Sequence, residues 1–132
     1  MSQNAKYASI ASVVYNHIPD LLFVGFYIVE NGEEIHIGPY QSKILASAII
    51  KKGKGVCGTA WEEKKAQIWN NIKECKNYIA CDSETKSEIV IPVLDNNKKN
   101  VVAVFDIDSV TQNRFLDQDV ISIEKIVSLL YK

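Results

Sequence analysis

Two apolar runs on either side of an Asn-Gly pair constrain the fold of this chain more than any other feature. The run LLFVGFYIVE is rich in the aromatic and β-branched residues that favour buried strands. Asn31-Gly32 follows it and is typical of a two-residue hairpin turn, so EEIHIGPY is predicted to return antiparallel beside the first run. Alternation places Ile35 and Ile37 on one face of this second strand and His36 on the open face.

The rest of the chain supplies more strands and a helix at each end. Apolar residues at helical spacing predict an N-terminal helix that Pro19-Asp20 ends, and its apolar positions are Tyr7, Ile10, Val14 and Ile18. ILASAII is predicted as a third strand, and VCGTAWEEKKA as a short helix. The segment 67–79 is predicted as a long loop with a short strand. EIVIPVLD and VVAVFDID are predicted to pair through the polar turn NNKKN.

The closing helix is predicted from its start signals and its apolar face. Asp117 can cap it, and Leu116 can contact Ile121 across the first turn. Its predicted buried residues are Val120, Ile123, Val127 and Leu130. The order of elements predicts an α+β architecture, with a mainly antiparallel sheet and helices packed on it.

Composition narrows the class of protein. The chain has 132 residues and a net charge of -1, which suits one domain spanning residues 1–132. No basic stripe is present, so nucleic-acid binding is not predicted. No apolar run is long enough to span a bilayer, and the first residues lack the pattern of a signal peptide, so no membrane association and a cytoplasmic location are predicted.

Three cysteines, Cys57, Cys75 and Cys81, fall within one short region. A reducing compartment disfavours a structural disulfide. His17 and His36 lie elsewhere in the chain without metal-ligand spacing, so no metal site is predicted. The cysteines are then either three unrelated buried thiols or a set for transient thiol–disulfide chemistry.

The surroundings of the cysteines and of three carboxylates point to a site. Gly55 and Gly58 bracket Cys57 in GKGVCGTA, and a helix beginning there would lower the pKa of its thiol. Cys81 lies in IACDSETKSEI, and Glu88 opens the next strand. In FDIDS, Asp106 and Asp108 are two residues apart and share a face. They either line the floor of a pocket or lie at a solvent-exposed sheet edge.

GPYQSK, GKGVCGTA, IACDSETKSEIVIPV and VFDIDS, in this order, resemble the free methionine-(R)-sulfoxide reductases, which are stand-alone GAF-domain enzymes. The resemblance runs from about Val24 to the final helix. It implies a GAF-like fold with a mainly antiparallel sheet of about six strands flanked by helices. It also implies reduction of free L-methionine-(R)-sulfoxide, with no bound cofactor.

The resemblance implies roles for the two motif cysteines and the three carboxylates. Cys81 is the expected nucleophile, and Cys57 the resolving thiol that forms a disulfide with it. Thioredoxin is the expected reductant of that disulfide. Crowded carboxylates raise one another's pKa, so Glu88 is the expected proton donor that also binds the sulfoxide oxygen, while Asp106 and Asp108 bind substrate.

Phe23 and Tyr27 share a face with Gly25 and are expected to line the substrate pocket. Phe23 departs from the family, in which many members carry tryptophan there. Several members also carry a cysteine near the position of Gln67. This chain has Cys75 instead, either as an auxiliary thiol or as a bystander.

Two other functions fit the same residues. A non-catalytic GAF sensor would bind a small molecule in this pocket, and a redox switch would use the disulfide to change its surface. A homodimer is expected from the resemblance.

Overall fold

The computed structural model describes residues 1–77 and 84–131 and shows six strands with helices on both sides. Helix α1 spans Gln3–His17, α2 spans Gly55–Glu63, and α3 spans Asp117–Val127. Short 3-10 turns lie at Ile72–Glu74 and Ser128–Tyr131. The strands, β1 to β6 in chain order, are Leu21–Val29, Glu34–Ser42, Ile49–Lys51, Gln67–Trp69, Ser87–Leu94 and Val101–Ser109.

The strands form one antiparallel sheet in the order β3-β2-β1-β6-β5-β4. The long strands β1, β6 and β5 occupy its centre, so their side chains are covered on both faces. Almost every residue of these strands is buried, which explains why their sequences read as nearly continuous apolar runs. The predicted α+β architecture with about six mainly antiparallel strands is confirmed.

Each face of the sheet carries its own hydrophobic cluster. Helices α1 and α3 cover one face, where the buried residues include Tyr7, Val24, Phe26, Ile91, Phe105 and Leu130. Helix α2 covers the other face, where they include Phe23, Tyr27, Val56, Cys57, Trp61 and Val90. The alternation of side chains along β1 separates Phe23 and Tyr27 from Val24 and Phe26, as the sequence predicts.

The hairpin between β1 and β2 is confirmed, but its turn is longer than predicted. The strands are separated by residues 30–33, and the side-chain oxygen of Asn31 accepts hydrogen bonds from the backbone N–H groups of Glu33 (2.8 Å) and Glu34 (2.9 Å). This side-chain-mediated turn replaces the two-residue turn because Asn31 satisfies the free N–H groups itself.

Two further element predictions are wrong in detail. Within the ILASAII segment only Ile49 and Ile50 belong to a strand, β3, which continues to Lys51, and Leu45 of that segment is exposed. At the start of α3, Leu116 and Ile121 are both exposed, so the predicted pair buries little apolar surface. The Asp119 carboxylate instead accepts a hydrogen bond from the Leu116 N–H at 2.8 Å, which makes Asp119 rather than Asp117 the capping side chain.

The buried face of α3 contains Ile123, Val127 and, in the turn that follows, Leu130, as predicted, whereas Val120, also predicted there, is only half-buried. His36 lies on the other face of β2 from the buried Ile35, as predicted. Its Nε2 lies 3.1 Å from Glu34 Oε1. Among residues 1–77 and 84–131, no helix combines the length and apolar character that crossing a bilayer requires.

Candidate functional site

The predicted carboxylates and aromatic residues meet in one row across the sheet. Glu88 on β5 pairs with Asp108 on β6, and Asp108 pairs with Phe23 on β1. A second row, two residues along, contains Asp106 of β6 opposite Gly25 of β1. Since alternate residues of a strand share a face, all these side chains lie on the face that α2 covers.

Helix α2 places the Cys57 thiol over the acidic rows. Cys57 is in the first turn of α2, and its Sγ and one carboxylate oxygen each of Glu88 and Asp106 all lie within 4.8 Å of one another. Cys57, Glu88, Asp106 and Asp108 are each at most 5% exposed. The structure therefore brings together one thiol and three carboxyl groups from three different elements, and it excludes the solvent-edge alternative for the two aspartates.

Close packing against the preceding loop fixes this helix. A Cβ on Gly58 would lie 2.5 Å from the carbonyl oxygen of Lys51, so no larger residue fits there without moving the helix. The Gly53 N–H also donates to the Gly58 carbonyl at 3.0 Å. The close packing at Gly58 thus fixes the distance between the Cys57 thiol and the sheet.

Burial raises the pKa values of all three carboxyl groups. The pKa of Glu88 is raised well above its ordinary value by burial and then by the charges of Asp106 and Asp108. The pKa of Asp108 is raised well above its ordinary value by burial and by Asp106. The pKa of Asp106 is also raised by burial, but hydrogen bonding with Glu88 and other neighbours opposes the rise. The cluster therefore keeps protons near neutral pH, with Asp106 the favoured site of negative charge.

The pKa of the Cys57 thiol is raised, which corrects the prediction that the start of a helix lowers it. Burial is the largest cause, and the carboxylates of Asp106, Glu88 and Asp108 add to it. The partial positive charge at the start of α2 does not outweigh burial of the thiol beside three carboxyl groups. The thiol is therefore protonated at neutral pH.

Several oxygens in the described part of the chain lack partners. Asp106 Oδ1, Asp108 Oδ1 and Thr85 Oγ1 are buried without a hydrogen-bond partner. Residues 1–77 and 84–131 also supply no ion-pair partner to Glu88, Asp106 or Asp108. A buried polar atom without a partner costs about 1–3 kcal/mol. Such an arrangement favours a ligand that brings positive charge and hydrogen-bond donors.

Aromatic rings border the acidic cluster. The Phe23 ring stacks on Tyr40 at a centroid distance of 5.5 Å and lies 6.3 Å from Tyr27, in nearly parallel planes. Phe23 and Tyr27 are where the sequence places them, whereas Tyr40 and Thr85 were missed. Tyr40 faces Gly25 across the β1–β2 pair, but a bulge between Gly25 and Tyr27 shifts that register, so strand alternation alone could not locate it.

Gly25 allows the Phe23 ring to take this position, and its replacement provides a test. A Cβ on Gly25 would lie 2.4 Å from Tyr40 Cβ and 2.9 Å from Phe23 Cζ. Gly25→Ala is expected to lower the free energy of unfolding by about 1–3 kcal/mol, because a well-packed site must absorb an extra group. Urea denaturation measures this change.

Gly32→Ala is the matched control, since a Cβ there meets nothing within 4 Å. The free energy of unfolding of this variant should stay within about 0.5 kcal/mol of the starting protein. Equal losses in the two variants would contradict the assigned packing role of Gly25.

Cys81 belongs to residues 78–83, which lie outside the described part of the chain. Its predicted role as nucleophile and its pairing with Cys57 therefore stay predictions. Cys57 and Cys75 are free thiols. Cys75 is half-buried and lines a surface cavity of about 490 Å³ with Val56 and Thr59, but Cys57 does not line that cavity.

Comparisons with known proteins place this chain in a family. The GAF domain family matches residues 8–130. The free methionine-R-sulfoxide reductase of Escherichia coli is 35% identical over 128 residues, which cover 97% of this chain and 75% of that protein. The chain belongs to the free methionine-R-sulfoxide reductase family.

Two further members of this GAF-domain reductase family support the placement. The Saccharomyces cerevisiae enzyme is 41% identical over 115 residues, which are 86% of this chain. The chain spans 63% of the length of that yeast relative. The crystal structure of the Neisseria meningitidis enzyme in complex with its substrate has a TM-score of 0.91, with 29% identity, and covers 98% of this chain and 75% of that one.

Proposed function

We propose that this chain reduces free L-methionine-(R)-sulfoxide to L-methionine. The observation that carries the proposal is the buried cluster in which the Cys57 thiol lies within 4.8 Å of carboxylate oxygens of Glu88 and Asp106. Its family membership supplies the reaction, since related proteins are named for it. The chemistry below explains why such a reaction needs this combination of groups.

The first step is attack of the Cys81 thiolate on the sulfoxide sulfur. A sulfoxide oxygen leaves sulfur only when it is protonated, so an acid is needed beside it. Glu88 fits this role because its pKa is raised well above the ordinary range by burial and by the neighbouring aspartates. Methionine is released, the oxygen passes to Cys81, and Cys81 becomes a sulfenic acid.

The second step restores a reducible form of the enzyme. The Cys57 thiol attacks the sulfenic sulfur of Cys81, a sulfur–sulfur bond forms, and the hydroxyl leaves as water with the proton of the thiol. We assign Asp106 to accept that proton from Cys57 and pass it to the departing hydroxyl, because a carboxylate oxygen of Asp106 lies within 4.8 Å of the Cys57 sulfur and burial raises the pKa of Asp106. An external dithiol, for which we propose thioredoxin, then reduces the disulfide and returns both cysteines to thiols.

Substrate recognition is assigned to the same face of the sheet. The ammonium group of the free amino acid would pair with Asp108, whose buried Oδ1 has no partner within the described residues. The side chain of the substrate would lie against Phe23 and Tyr27, which are both at most 3% exposed. A pocket that recognises a free ammonium group discriminates against methionine sulfoxide inside a peptide.

A turnover assay on both epimers tests the proposal. With thioredoxin, thioredoxin reductase and NADPH, the free R-epimer is expected to be reduced, and the free S-epimer and peptide-bound R-sulfoxide are not. Glu88→Gln should lower kcat about 10²–10⁴-fold, because the amide cannot donate the proton that Glu88 supplies.

Cys75→Ser is the control for this assay and should keep the original rate, because Cys75 lines a surface cavity to which Cys57 does not contribute. Binding of the R-epimer without any reduction would refute the enzyme and favour the sensor function. Thioredoxin coupling, a homodimer, a single domain over residues 1–132 and a cytoplasmic location stay predictions.

A further inference from the structure

We propose that the reduced protein binds a divalent zinc-like cation through Cys57, Glu88 and Asp106. The ligand atoms of these three residues, one sulfur and two carboxylate oxygens, all lie within 4.8 Å of one another. Each residue is at least 95% buried. The proposal concerns the proposed active site but does not depend on sulfoxide reduction, because it predicts binding in the absence of substrate.

The spacing of the ligand atoms suits a single ion. Zinc lies about 2.3 Å from a thiolate sulfur and about 2.0–2.2 Å from a carboxylate oxygen. Two ligands on one zinc are therefore separated by less than about 4.5 Å, so atoms at up to 4.8 Å need only small side-chain rotations. Three protein ligands leave a fourth tetrahedral position open for water or another small ligand.

Unpartnered atoms in the described residues provide a second, independent observation. The buried Oδ1 atoms of Asp106 and Asp108 have no hydrogen-bond partner. No lysine, arginine or histidine within residues 1–77 and 84–131 forms an ion pair with Glu88, Asp106 or Asp108. A cation in the cluster would supply the missing positive charge, with Asp108 adjacent to the coordinated Glu88 across the β5–β6 pair.

The ligand types select the class of metal. One thiolate with carboxylates favours Zn²⁺, Co²⁺ or Cd²⁺, whereas Mg²⁺ and Ca²⁺ prefer six or more oxygen ligands. The sequence predicts no metal because it lacks histidines at metal spacing. This site uses no histidine and takes its three ligands from α2, β5 and β6, which no local motif reveals.

Binding replaces the Cys57 S–H bond with a sulfur–metal bond and releases one proton to solvent, without any change in oxidation state. The metal would occupy the groups assigned to the sulfoxide oxygen and to disulfide formation, so it should compete with substrate. It should bind only the reduced protein, because a disulfide at Cys57 removes the thiolate. The bound cation would therefore keep the Cys57 thiolate coordinated while the concentration of free substrate is low, and substrate would displace the cation.

Titration of the reduced protein with Co²⁺ under anaerobic conditions tests the site. The structure predicts one equivalent of Co²⁺, a thiolate-to-cobalt charge-transfer band in the near ultraviolet and the visible bands of tetrahedral cobalt. Zn²⁺ should displace these bands. Glu88→Gln should raise the Kd for Co²⁺ about 10-fold or more, since the loss of an outer partner alone costs that much.

Cysteine variants distinguish this site from any other. The charge-transfer band should disappear in Cys57→Ser and persist in Cys75→Ser and Cys81→Ser, with circular dichroism showing that each variant is folded. Persistence of the band in folded Cys57→Ser, its loss in Cys75→Ser or Cys81→Ser, or its absence from the unsubstituted protein would overturn the proposal. If Cys57→Ser does not fold, an unchanged Kd in Glu88→Gln overturns it. Binding is measured without sulfoxide, so a failed turnover assay leaves this result intact.

Discussion

Replacing Cys57 with serine is expected to leave one turnover per chain and to abolish the thioredoxin-dependent turnovers that follow. In the proposed cycle, Cys81 takes the oxygen from the sulfoxide before Cys57 participates. The first methionine should therefore be released normally. A serine hydroxyl cannot form the disulfide that thioredoxin reduces, so the enzyme should stop as the sulfenic acid. Rapid quenching should show methionine rising to one equivalent and then staying constant.

Matched cysteine variants separate the steps of this experiment. Cys81→Ser should release no methionine, whereas Cys75→Ser should show the continuous turnover of the starting protein. A sulfenic-acid reagent such as dimedone should label Cys81 in the stalled Cys57→Ser chain. Thioredoxin must be the reductant, because small thiols can attack a sulfenic acid directly. Continued thioredoxin-dependent turnover in Cys57→Ser would show that another thiol resolves the intermediate.

The surroundings of Cys57 favour a resolving thiol over an attacking one. Its pKa is raised by burial and by three neighbouring carboxylates, so it is protonated at neutral pH. A protonated thiol does not attack the sulfoxide, because the thiolate is the nucleophile. It can still condense with a sulfenic acid when Asp106 accepts its proton. The acidic environment thus prevents Cys57 from reacting until the sulfenic acid has formed on Cys81.

Strand alternation was sufficient to predict which side chains share the face of the sheet that α2 covers. Asp106 and Asp108 lie together, and Phe23 and Tyr27 lie together, because the period of two residues holds along regular strands. Alternation failed at the β1–β2 bulge, where Tyr40 meets Gly25. The strand prediction for the ILASAII segment was wrong for a different reason, because it rested on apolar character alone and Leu45 is exposed. An apolar run does not show by itself whether a neighbouring strand is available to pair with it.

Sequence reasoning could not supply the electrostatic character of Cys57. The local pattern, a cysteine in the first turn of a helix, predicts a lowered pKa. The rise comes first from burial and then from carboxylates such as Asp106 and Glu88, which are 49 and 31 residues away in the sequence and approach the thiol because α2 packs on β5 and β6. A pKa is a property of the assembled pocket, and only the family resemblance assigned these residues to one site.

The acidic cluster should also make the protein less stable as pH rises. Glu88, Asp106 and Asp108 all have pKa values that are higher in the folded chain than in the unfolded chain. The unfolded carboxyls ionise near pH 4, whereas the folded ones hold their protons to higher pH. The contribution of the cluster is therefore fully present below about pH 4 and is lost as pH rises through the folded pKa values.

Asp108→Asn should remove part of this penalty and raise the free energy of unfolding at pH 8. The gain is expected because asparagine cannot ionise and so avoids the cost of a buried carboxylate beside Asp106. The gain should shrink towards pH 4, because the carboxyl is then neutral in both states. Urea denaturation across this pH range, without ligand, measures the difference between the two proteins.

Asp95→Asn provides the control, because the pKa of Asp95 is shifted in the opposite direction from that of Asp108. The Asp95 carboxylate is exposed, and its pKa is lowered chiefly by a hydrogen bond from the Lys99 N–H at 2.9 Å. This variant should therefore gain no stability at pH 8. If Asp108→Asn also gains no stability at pH 8, burial of the three carboxyl groups does not destabilise the fold as proposed. If it gains stability and loses sulfoxide reduction, the carboxylate that destabilises the unliganded fold is the one that the ammonium group of the substrate requires.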